Sequence, residues 1–179
     1  MKEDWHVLSR ETIFDHPFLK VAVEQVRLPD GKVIRDWPMV HARDYANVLA
    51  LNALGEALIL EGYKHGAGCS SWQVVGGYLE EGEEPLAAIQ RELLEETGCQ
   101  SDDWRYLGSY VVDANRYVGT GHFYVARNVH KIAAPTSTDL ETFTLRWVPI
   151  PELKKALSDG RIQIVSYALN ISLALLTLE

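Results

Sequence analysis

The segment between Gly77 and Cys99 is the feature of this sequence that most restricts how the chain can fold. It reads Gly-Tyr-Leu-Glu-Glu-Gly-Glu at its start, and a helical pattern then runs from Pro85 to Thr97. Proline is favoured in the first turn of a helix and glycine just after the last turn, so Pro85 and Gly98 predict the two ends. The segment therefore predicts a glycine-containing loop followed directly by a helix.

The predicted helix has an apolar face and an acidic face. At about 100° per residue, the apolar stripe consists of Leu86, Ile89 and Leu93. Glu92, Glu95 and Glu96 share a separate arc about 100° wide, which we expect to be exposed. Like charges at this spacing repel by ~0.2–0.5 kcal/mol per pair, and Mg²⁺ prefers carboxylate and phosphate oxygens. The arc predicts a magnesium site, unless Arg91 pairs with the acids or the face is merely solvated.

The loop and helix together resemble the Nudix box, GX5EX7REUXEEXGU with U aliphatic. All seven fixed letters match, and Cys99 alone stands where an aliphatic residue is usual. A small buried thiol can substitute at such a position. The resemblance implies an α/β fold, namely a Nudix-type α/β/α sandwich on a mixed β-sheet. It also implies an enzyme, a pyrophosphohydrolase in which water attacks phosphorus in a diphosphate.

The resemblance further implies roles for individual residues. Arg91 would orient the acids through ion pairs, and Glu83 would be a further ligand or a support for the loop. Glu95 would be a further metal ligand or the catalytic base. The cofactor would be Mg²⁺, or Mn²⁺ in its place. The implied metal ligands are the backbone carbonyl of Gly76 and the carboxylates of Glu92, Glu95 and Glu96.

Outside the box, the chain resembles the ADP-ribose pyrophosphatase, or ADP-sugar hydrolase, branch of that family. The resemblance rests on a β-rich N-terminal extension, on Tyr63-Lys64-His65-Gly66, and on Gly160-Arg161-Ile162. It implies a small nucleoside diphosphate substrate, ADP-ribose or a related sugar, and a homodimer. A nucleoside triphosphate or dinucleoside polyphosphate hydrolase stays open, as does a nucleotide-binding module without turnover. Gln73 stands where the branch commonly has a glutamate, which predicts fewer bound metals or a different arrangement of them.

Several residues outside the helix are candidates for the substrate site. Cationic side chains could hold phosphate, an aromatic ring could stack on a base, and a glycine lets backbone approach a ligand. The catalytic base could be Glu141 on a late loop, which we favour over Asp139, or Glu95. A surface acid without a catalytic role is the alternative for Glu141, and a core position is the alternative for each aromatic. The candidate substrate contacts are Lys64, Trp72, Arg116 and Gly77.

The remaining chain predicts mixed strands and helices. Strands at 21–28 and 32–40 flank Asp30-Gly31, which favours a hairpin turn, and a second pair at 48–53 and 57–61 is joined through Gly55. Further strands are expected at 108–112, 122–126 and 142–149, and helices at 151–157 and 162–178. We expect residues 1–45 to form a β-rich extension that contributes to dimerisation and residues 46–179 to form the hydrolase domain.

Charge and composition restrict the partners. The formal net charge of −8 repels nucleic acid backbones, so an anionic substrate would need cations to mediate its approach. The two cysteines are too few for a disulfide framework or a zinc site, which predicts reduced thiols. The first residues lack the apolar core of a secretory signal, and the apolar C-terminal stretch is short for a bilayer span. We expect a cytoplasmic protein that binds neither nucleic acid nor membrane.

Overall fold

The structure is a computed structural model that describes residues 4–136 and 142–178. The chain divides into two compact units, one of Met1–Asp44 with Tyr110–Thr120 and the other of Tyr45–Ser109 with Gly121–Glu179. No helix among the described residues has both the length and the apolar character needed to cross a membrane. In chain order the elements are β1 (His6–His16), β2 (Leu19–Arg27), β3 (Val33–Ala42), β4 (Tyr45–Ala50), β5 (Ala57–Lys64), β6 (Cys69–Gln73), β7 (Val75–Tyr78), α1 (Pro85–Thr97), β8 (Cys99–Gln100), β9 (Asp103–Asp113), β10 (Tyr117–Arg127), β11 (His130–Lys131), β12 (Phe143–Val148), α2 (Ile150–Ala156) and α3 (Val165–Leu175).

The first unit is built on an antiparallel meander of β1, β2 and β3. The hairpin predicted around Asp30-Gly31 is confirmed: β2 pairs with β3, and Gly31 has a φ of 88°, which glycine adopts without steric cost. The sequence-based prediction missed β1. Every residue of β1 is exposed, so its sequence lacks the alternation that one buried face would impose. Its Arg10 forms an ion pair with the buried carboxylate of Glu24 on β2.

The second unit is a mixed set of strands with helices against them. Within it, β10 runs parallel to β4, and β4 runs antiparallel to β7. A three-stranded antiparallel sheet has the order β12-β5-β6, and β8 pairs with β11. The expected α/β fold on a mixed sheet is confirmed.

The side chains of β4 alternate between two cores. Val48 packs in a cluster with Ile89 and Leu93 of α1. Leu49, next in sequence, packs in a second cluster with Ile171 of α3. Because successive residues of a strand point to opposite faces, α1 and α3 cover the two faces of this strand, as an α/β/α sandwich requires.

The predicted pairing of β4 with β5 is confirmed only at the turn through Gly55, where the N–H of Gly55 donates to the carbonyl of Asn52. The two strands share only the bridge between Leu51 and Ala57, and each then pairs elsewhere, β4 with β7 and β10, and β5 with β6 and β12. Both strands are largely buried, and a central strand carries an almost continuous apolar run. Such a run does not reveal which neighbour it pairs with.

The C-terminal helix begins later than the predicted residue 162. The preceding residues stay extended because they bond to β6: the N–H of Trp72 donates to the carbonyl of Arg161 at 2.7 Å, and the N–H of Gln163 donates to Ser71 Oγ at 3.0 Å. The helix α3 then starts at Val165. Long-range hydrogen bonds thus override the apolar pattern at this end.

Candidate active site

The acids are presented by α1, which follows β7 after a short loop. Pro85 occupies the first turn of the helix, as predicted. At the other end Gly98 adopts a left-handed φ of 71° and donates its N–H to the carbonyl of Leu94 at 2.8 Å. The expected bounds of the helix are confirmed.

Arg91 is the centre of the charged network. Its guanidinium forms a bidentate pair with Glu83 of the loop, with Nε–Oε1 and Nη2–Oε2 distances of 3.0 Å. Its Nη1 donates to Glu92 Oε1 at 2.7 Å and to Glu95 Oε2 at 3.2 Å, and its Nη2 donates to the carbonyl of Tyr78 at 3.4 Å. One side chain therefore ties the loop and β7 to the acidic face of the helix.

This network shifts the ionisation of its members in opposite directions. The hydrogen bond from Arg91, with a second from the N–H of Glu80, lowers the pKa of Glu83. The hydrogen bond to Glu83, followed by those to Glu92 and Glu95, raises the pKa of Arg91 further above its usual range. The pair stays ionised at neutral pH, so Glu83 supports the loop as a carboxylate salt-bridged to the helix.

The acidic arc is less exposed than the helical pattern predicted. The side chain of Glu92 is 13% exposed and that of Glu95 is 44% exposed. Glu96 is buried, with 9% of the whole residue exposed. The expectation of a fully exposed acidic face is therefore wrong for Glu96. A buried carboxylate is costly to hold ionised unless a cation or hydrogen-bond donors face it, so this position fits a ligand better than a solvated surface.

The strand β7 approaches the helix closely at Gly77. A Cβ at this position would overlap the carboxylate carbon and Oε1 of Glu92 and would lie 2.7 Å from its Cγ. Backbone atoms of β7 and the carboxylate of Glu92 thus share one small space, which a larger residue at position 77 would fill. This close approach explains the need for glycine.

The donor set fits a hard divalent cation in its chemistry. It would combine carboxylate oxygens from Glu92, Glu95 and Glu96 with the backbone carbonyl of Gly76, the residue before Gly77 in the chain, and oxygen ligands are those that Mg²⁺ prefers. In the part of the chain that the structure describes, no three acidic, histidine or cysteine side chains already surround a common point. Glu92 and Glu95 are instead directed onto Arg91, so metal binding would require their carboxylates to reorient.

The predicted substrate contacts lie in different surroundings. Trp72 is 6% exposed within the core of the second unit, and the guanidinium of Arg161 lies 4.2 Å from its ring centroid. Trp72 is thus buried in a core, the alternative considered for each aromatic residue, and its contact with a nucleobase stays a prediction. Lys64 is half-buried at the end of β5, opposite Cys69.

Arg116 belongs to the first unit, in the turn between β9 and β10. The carboxylate Oδ1 of Asp113 accepts hydrogen bonds from the backbone N–H groups of Arg116 and Asn115 at 2.6 and 2.8 Å, and these bonds lower the pKa of Asp113. The side chain of Arg116 reaches Asp113 only at 3.9 Å. A guanidinium so weakly paired and half exposed is free to contact an anion.

The two late-loop acids, Asp139 and Glu141, lie outside the described residues. The described residues before them are attached to the helix: the N–H groups of Ile132 and Ala133 donate to the carbonyl of Gly98 at 2.8 and 3.1 Å, and that of Thr136 donates to the carbonyl of Glu95 at 2.9 Å. The chain therefore enters this loop from the carboxyl end of α1. The role of Glu141 stays a prediction.

The contacts of two buried polar residues, Gln73 and Asn47, were not predicted from the sequence. The amide Nε2 of Gln73 donates to the carbonyl of Gly62 at 3.3 Å, a bond that an ionised glutamate could not donate. Asn47 on β4 is the direct partner of Gly76. Its signal in the sequence is a single amide within the apolar run from Ala46 to Leu51.

Comparison with known families agrees with this geometry. A model of the NUDIX domain matches residues 41–167, and a model of the nucleoside diphosphate sugar hydrolase N-terminal domain matches residues 5–40. The chain belongs to the Nudix family. It is a pyrophosphohydrolase related to the ADP-ribose and nucleoside diphosphate sugar hydrolases, a family whose enzymes generally use a divalent metal ion.

Individual relatives agree with this placement. A CMP-5'-(N-acetyl-N-hydroxy-3-aminopropyl)phosphonate hydrolase of Streptomyces rubellomurinus (strain ATCC 31215) is 27% identical over 157 residues, which cover 88% of this chain and 75% of that protein. An ADP-ribose pyrophosphatase of Bacillus subtilis (strain 168) is 33% identical over 91 residues, 51% of this chain and 49% of that protein. The crystal structure of an ADP compounds hydrolase superimposes with a TM-score of 0.83 at 16% identity, covering 97% of this chain and 94% of that one, and supports the fold alone.

Proposed function

We propose that this enzyme hydrolyses the diphosphate linkage of ADP-ribose or a related nucleoside diphosphate sugar and that it depends on Mg²⁺. The observation that carries the proposal is the Arg91 network, in which one guanidinium gathers Glu83, Glu92 and Glu95 beside the backbone of β7. The family match of residues 5–40 to a nucleoside diphosphate sugar hydrolase N-terminal domain supports the substrate class.

In this proposal the acids of α1 and the carbonyl of Gly76 would hold the cation. Before the cation binds, Arg91 keeps Glu92 and Glu95 in place through ion pairs. When bound, the cation supplies charge neutralisation for the phosphate oxygens. Lys64 contacts phosphate, and Gly77 lets the carboxylate of Glu92 lie against the backbone of β7. Arg116, in the first unit, is a separate candidate for an anion contact. The catalytic base is Glu141, or Glu95 if Glu141 does not act, and it accepts the proton of the attacking water.

The relative that acts on a CMP-linked phosphonate supports a second candidate. Its similarity extends over most of this chain, whereas the similarity to the ADP-ribose pyrophosphatase extends over about half. A nucleoside monophosphate joined to a phosphonate contains the same kind of P–O–P linkage. The base and the second group could therefore differ from adenine and ribose while the chemistry stays the same.

A substrate panel tests the proposal. Purified protein with Mg²⁺, and separately with Mn²⁺, is assayed against ADP-ribose, nucleotide sugars, a CMP-linked phosphonate, dinucleoside polyphosphates and nucleoside triphosphates. We expect the highest kcat/KM for a nucleoside diphosphate linked to a second group, and loss of activity with EDTA. Carrying out the reaction in ¹⁸O-labelled water identifies the phosphorus that is attacked. Tight binding without turnover of any compound would instead identify a nucleotide-binding module.

We also propose a homodimer in which residues 1–45 contribute to the subunit contact. The support is the strand β1, which is exposed along its whole length and carries apolar side chains such as Ile13 and Phe14, exposed by 60% and 51%. Exposed apolar patches on a soluble domain mark interaction sites. No nucleic acid partner is proposed, because the net charge is −8.

A further inference from the structure

A buried amide lies directly beneath the backbone that borders the acids of α1. Asn47 is 2% exposed and is the only polar side chain in the run of buried residues from Ala46 to Leu51. Within the described part of the chain, its Nδ2 has no hydrogen-bond partner. Burying an unsatisfied amide is unfavourable, so an aliphatic residue would stabilise this strand better. The amide must serve some other purpose.

The contact of Asn47 with β7 suggests that purpose. Asn47 and Gly76 are direct partners in the antiparallel pairing of β4 with β7 and so project to the same face of the sheet. Oδ1 of Asn47 occupies the space where a Cβ at position 76 would lie, and the carbonyl oxygen of Ala46 would be 3.1 Å from that Cβ. The amide therefore packs against the backbone of Gly76.

On the opposite face, the next residue of β7 meets the acidic helix. The carboxylate of Glu92 occupies the space of a Cβ at Gly77. Two adjacent glycines thus admit two polar side chains, Asn47 from one face and Glu92 from the other. The peptide unit joining Gly76 to Gly77 contains the carbonyl of Gly76, and it is held between them.

We propose that Asn47 is a positioning residue, which fixes the Gly76 carbonyl at the orientation needed for a divalent cation on α1. This role rests on the proposed function, because the carbonyl of Gly76 is a ligand only if the acids bind a metal. Asn47 lies on the face of the sheet opposite Glu92 and acts only through the backbone of β7. Outer partners that orient ligands typically contribute 10–100-fold to metal affinity.

The first test is Mn²⁺ binding to the whole protein, measured by calorimetry and by electron paramagnetic resonance of free Mn²⁺. We expect Asn47→Ala to weaken Mn²⁺ binding by about 10-fold or more with the fold retained. Asn170→Ala is the matched control, because Asn170 is also a fully buried amide, bonded through Nδ2 to the carbonyl of Tyr124. The control should lower the melting temperature and leave the Mn²⁺ affinity within about 2-fold of the parent, since Asn170 bonds to β10 and is not the strand partner of Gly76.

A double-mutant cycle gives a second measurement that does not depend on one variant folding well. Gly76→Ala should lower both the melting temperature and the Mn²⁺ affinity, because its methyl group overlaps Asn47 Oδ1. In the Asn47→Ala background, Gly76→Ala should lower the melting temperature and the Mn²⁺ affinity by less, since the space of Asn47 Oδ1 is vacated. The carbonyl of Ala46 still lies close to the added methyl group. Strong non-additivity of this sign supports a direct contact. Gly66→Ala, at a glycine with open space around it, is the control for adding a methyl group.

The outcomes separate the two proposals. A parent that binds Mn²⁺ and hydrolyses a nucleotide, with Asn47→Ala unchanged in Mn²⁺ affinity, overturns the positioning role and leaves the proposed function standing. Additive effects of the two substitutions on Mn²⁺ affinity overturn it as well. A parent that binds no Mn²⁺ and hydrolyses no compound of the panel overturns the proposed function and this role together.

Discussion

The acidic face of α1 and the strand β1 both place unfavourable groups close together, but among the described residues the compensation differs between them. On α1, the repulsion between glutamates is offset by Arg91, which reaches Glu92 and Glu95 at 2.7 and 3.2 Å. On β1, apolar side chains such as Ile13 and Phe14 are more than half exposed, and no residue of the strand is buried. The first region fits the proposed metal site once its carboxylates turn from Arg91, whereas the second fits the proposed subunit contact.

Removing the acids gives the largest expected effect and tests the first half of this comparison. Glu92→Gln combined with Glu96→Gln should lower kcat/KM by about 10³-fold or more, because several kcal/mol of charge stabilisation depends on the ligands. Stability without metal should change little, because the relief of repulsion between the acids is opposed by the loss of the Arg91–Glu92 ion pair. The measurements are steady-state kinetics and thermal unfolding. Glu81→Gln, which removes an exposed acid from the loop before α1, is the control. A double variant as active as this control would contradict the metal site.

Replacing the catalytic base should give the next largest loss of activity. If Glu141 accepts the proton from water, Glu141→Gln should lower kcat by roughly 10²–10⁴-fold with Mn²⁺ affinity little changed. Glu95→Gln should then have the milder kinetic effect, since Glu95 already pairs with Arg91. Rapid-quench or steady-state measurement of both variants decides between them. A Glu141→Gln enzyme within a few fold of the parent would move the base to Glu95 or Asp139.

The second half of the comparison is tested at β1. Ile13→Glu should weaken the homodimer by about 10²-fold, because a charge would be buried in the subunit contact. Leu54→Glu is a matched control, since Leu54 is 84% exposed in the turn between β4 and β5. Sedimentation velocity over micromolar concentrations measures the shift. A parent that sediments as a monomer at these concentrations would contradict the prediction.

The smallest expected effect is on stability and its dependence on pH. Glu83→Gln should reduce the free energy of unfolding at pH 7 by about 1.5–3 kcal/mol, the usual contribution of hydrogen bonds to a charged group. Arg91 holds the pKa of Glu83 below its unfolded value, so its stabilisation is present above the unfolded pKa and is lost as pH falls through the folded pKa. Urea unfolding between pH 7 and pH 3 should therefore show parent and variant converging in acid. Curves that stay parallel would show that the ion pair contributes nothing.

The sequence predicted the regions where local rules decide the structure. Pro85 and Gly98 mark the ends of α1, and Asp30-Gly31 marks a hairpin, because helix ends and tight turns depend on a few adjacent residues. The relation of Arg91 to its acids was also foreseeable, since spacing along one helix sets which side chains meet. Glu83 reaches the same arginine through the loop geometry.

The sequence did not predict features that depend on distant pairing. The partners of β4 and β5 follow from sheet order, which apolar runs do not encode. The helix period predicts on which side of α1 the side chain of Glu96 lies. Its burial depends on the segments that pack against that side, which the helix period does not reveal. The placement of Asn47 against Gly76 required the register of two strands that are far apart in sequence.

The attachment of residues 132–136 to the carboxyl end of α1 has a consequence for hydrogen exchange. The amides of Ile132, Ala133 and Thr136 belong to no helix and pair with no strand, yet they bond to the carbonyls of Gly98 and Glu95. Their protection against deuterium therefore reports the separation of segment 132–136 from the end of α1, whichever of the two moves. These three amides provide a local probe of that contact, and a ligand bound to the acids of α1 that stabilises this end of the helix should slow their exchange.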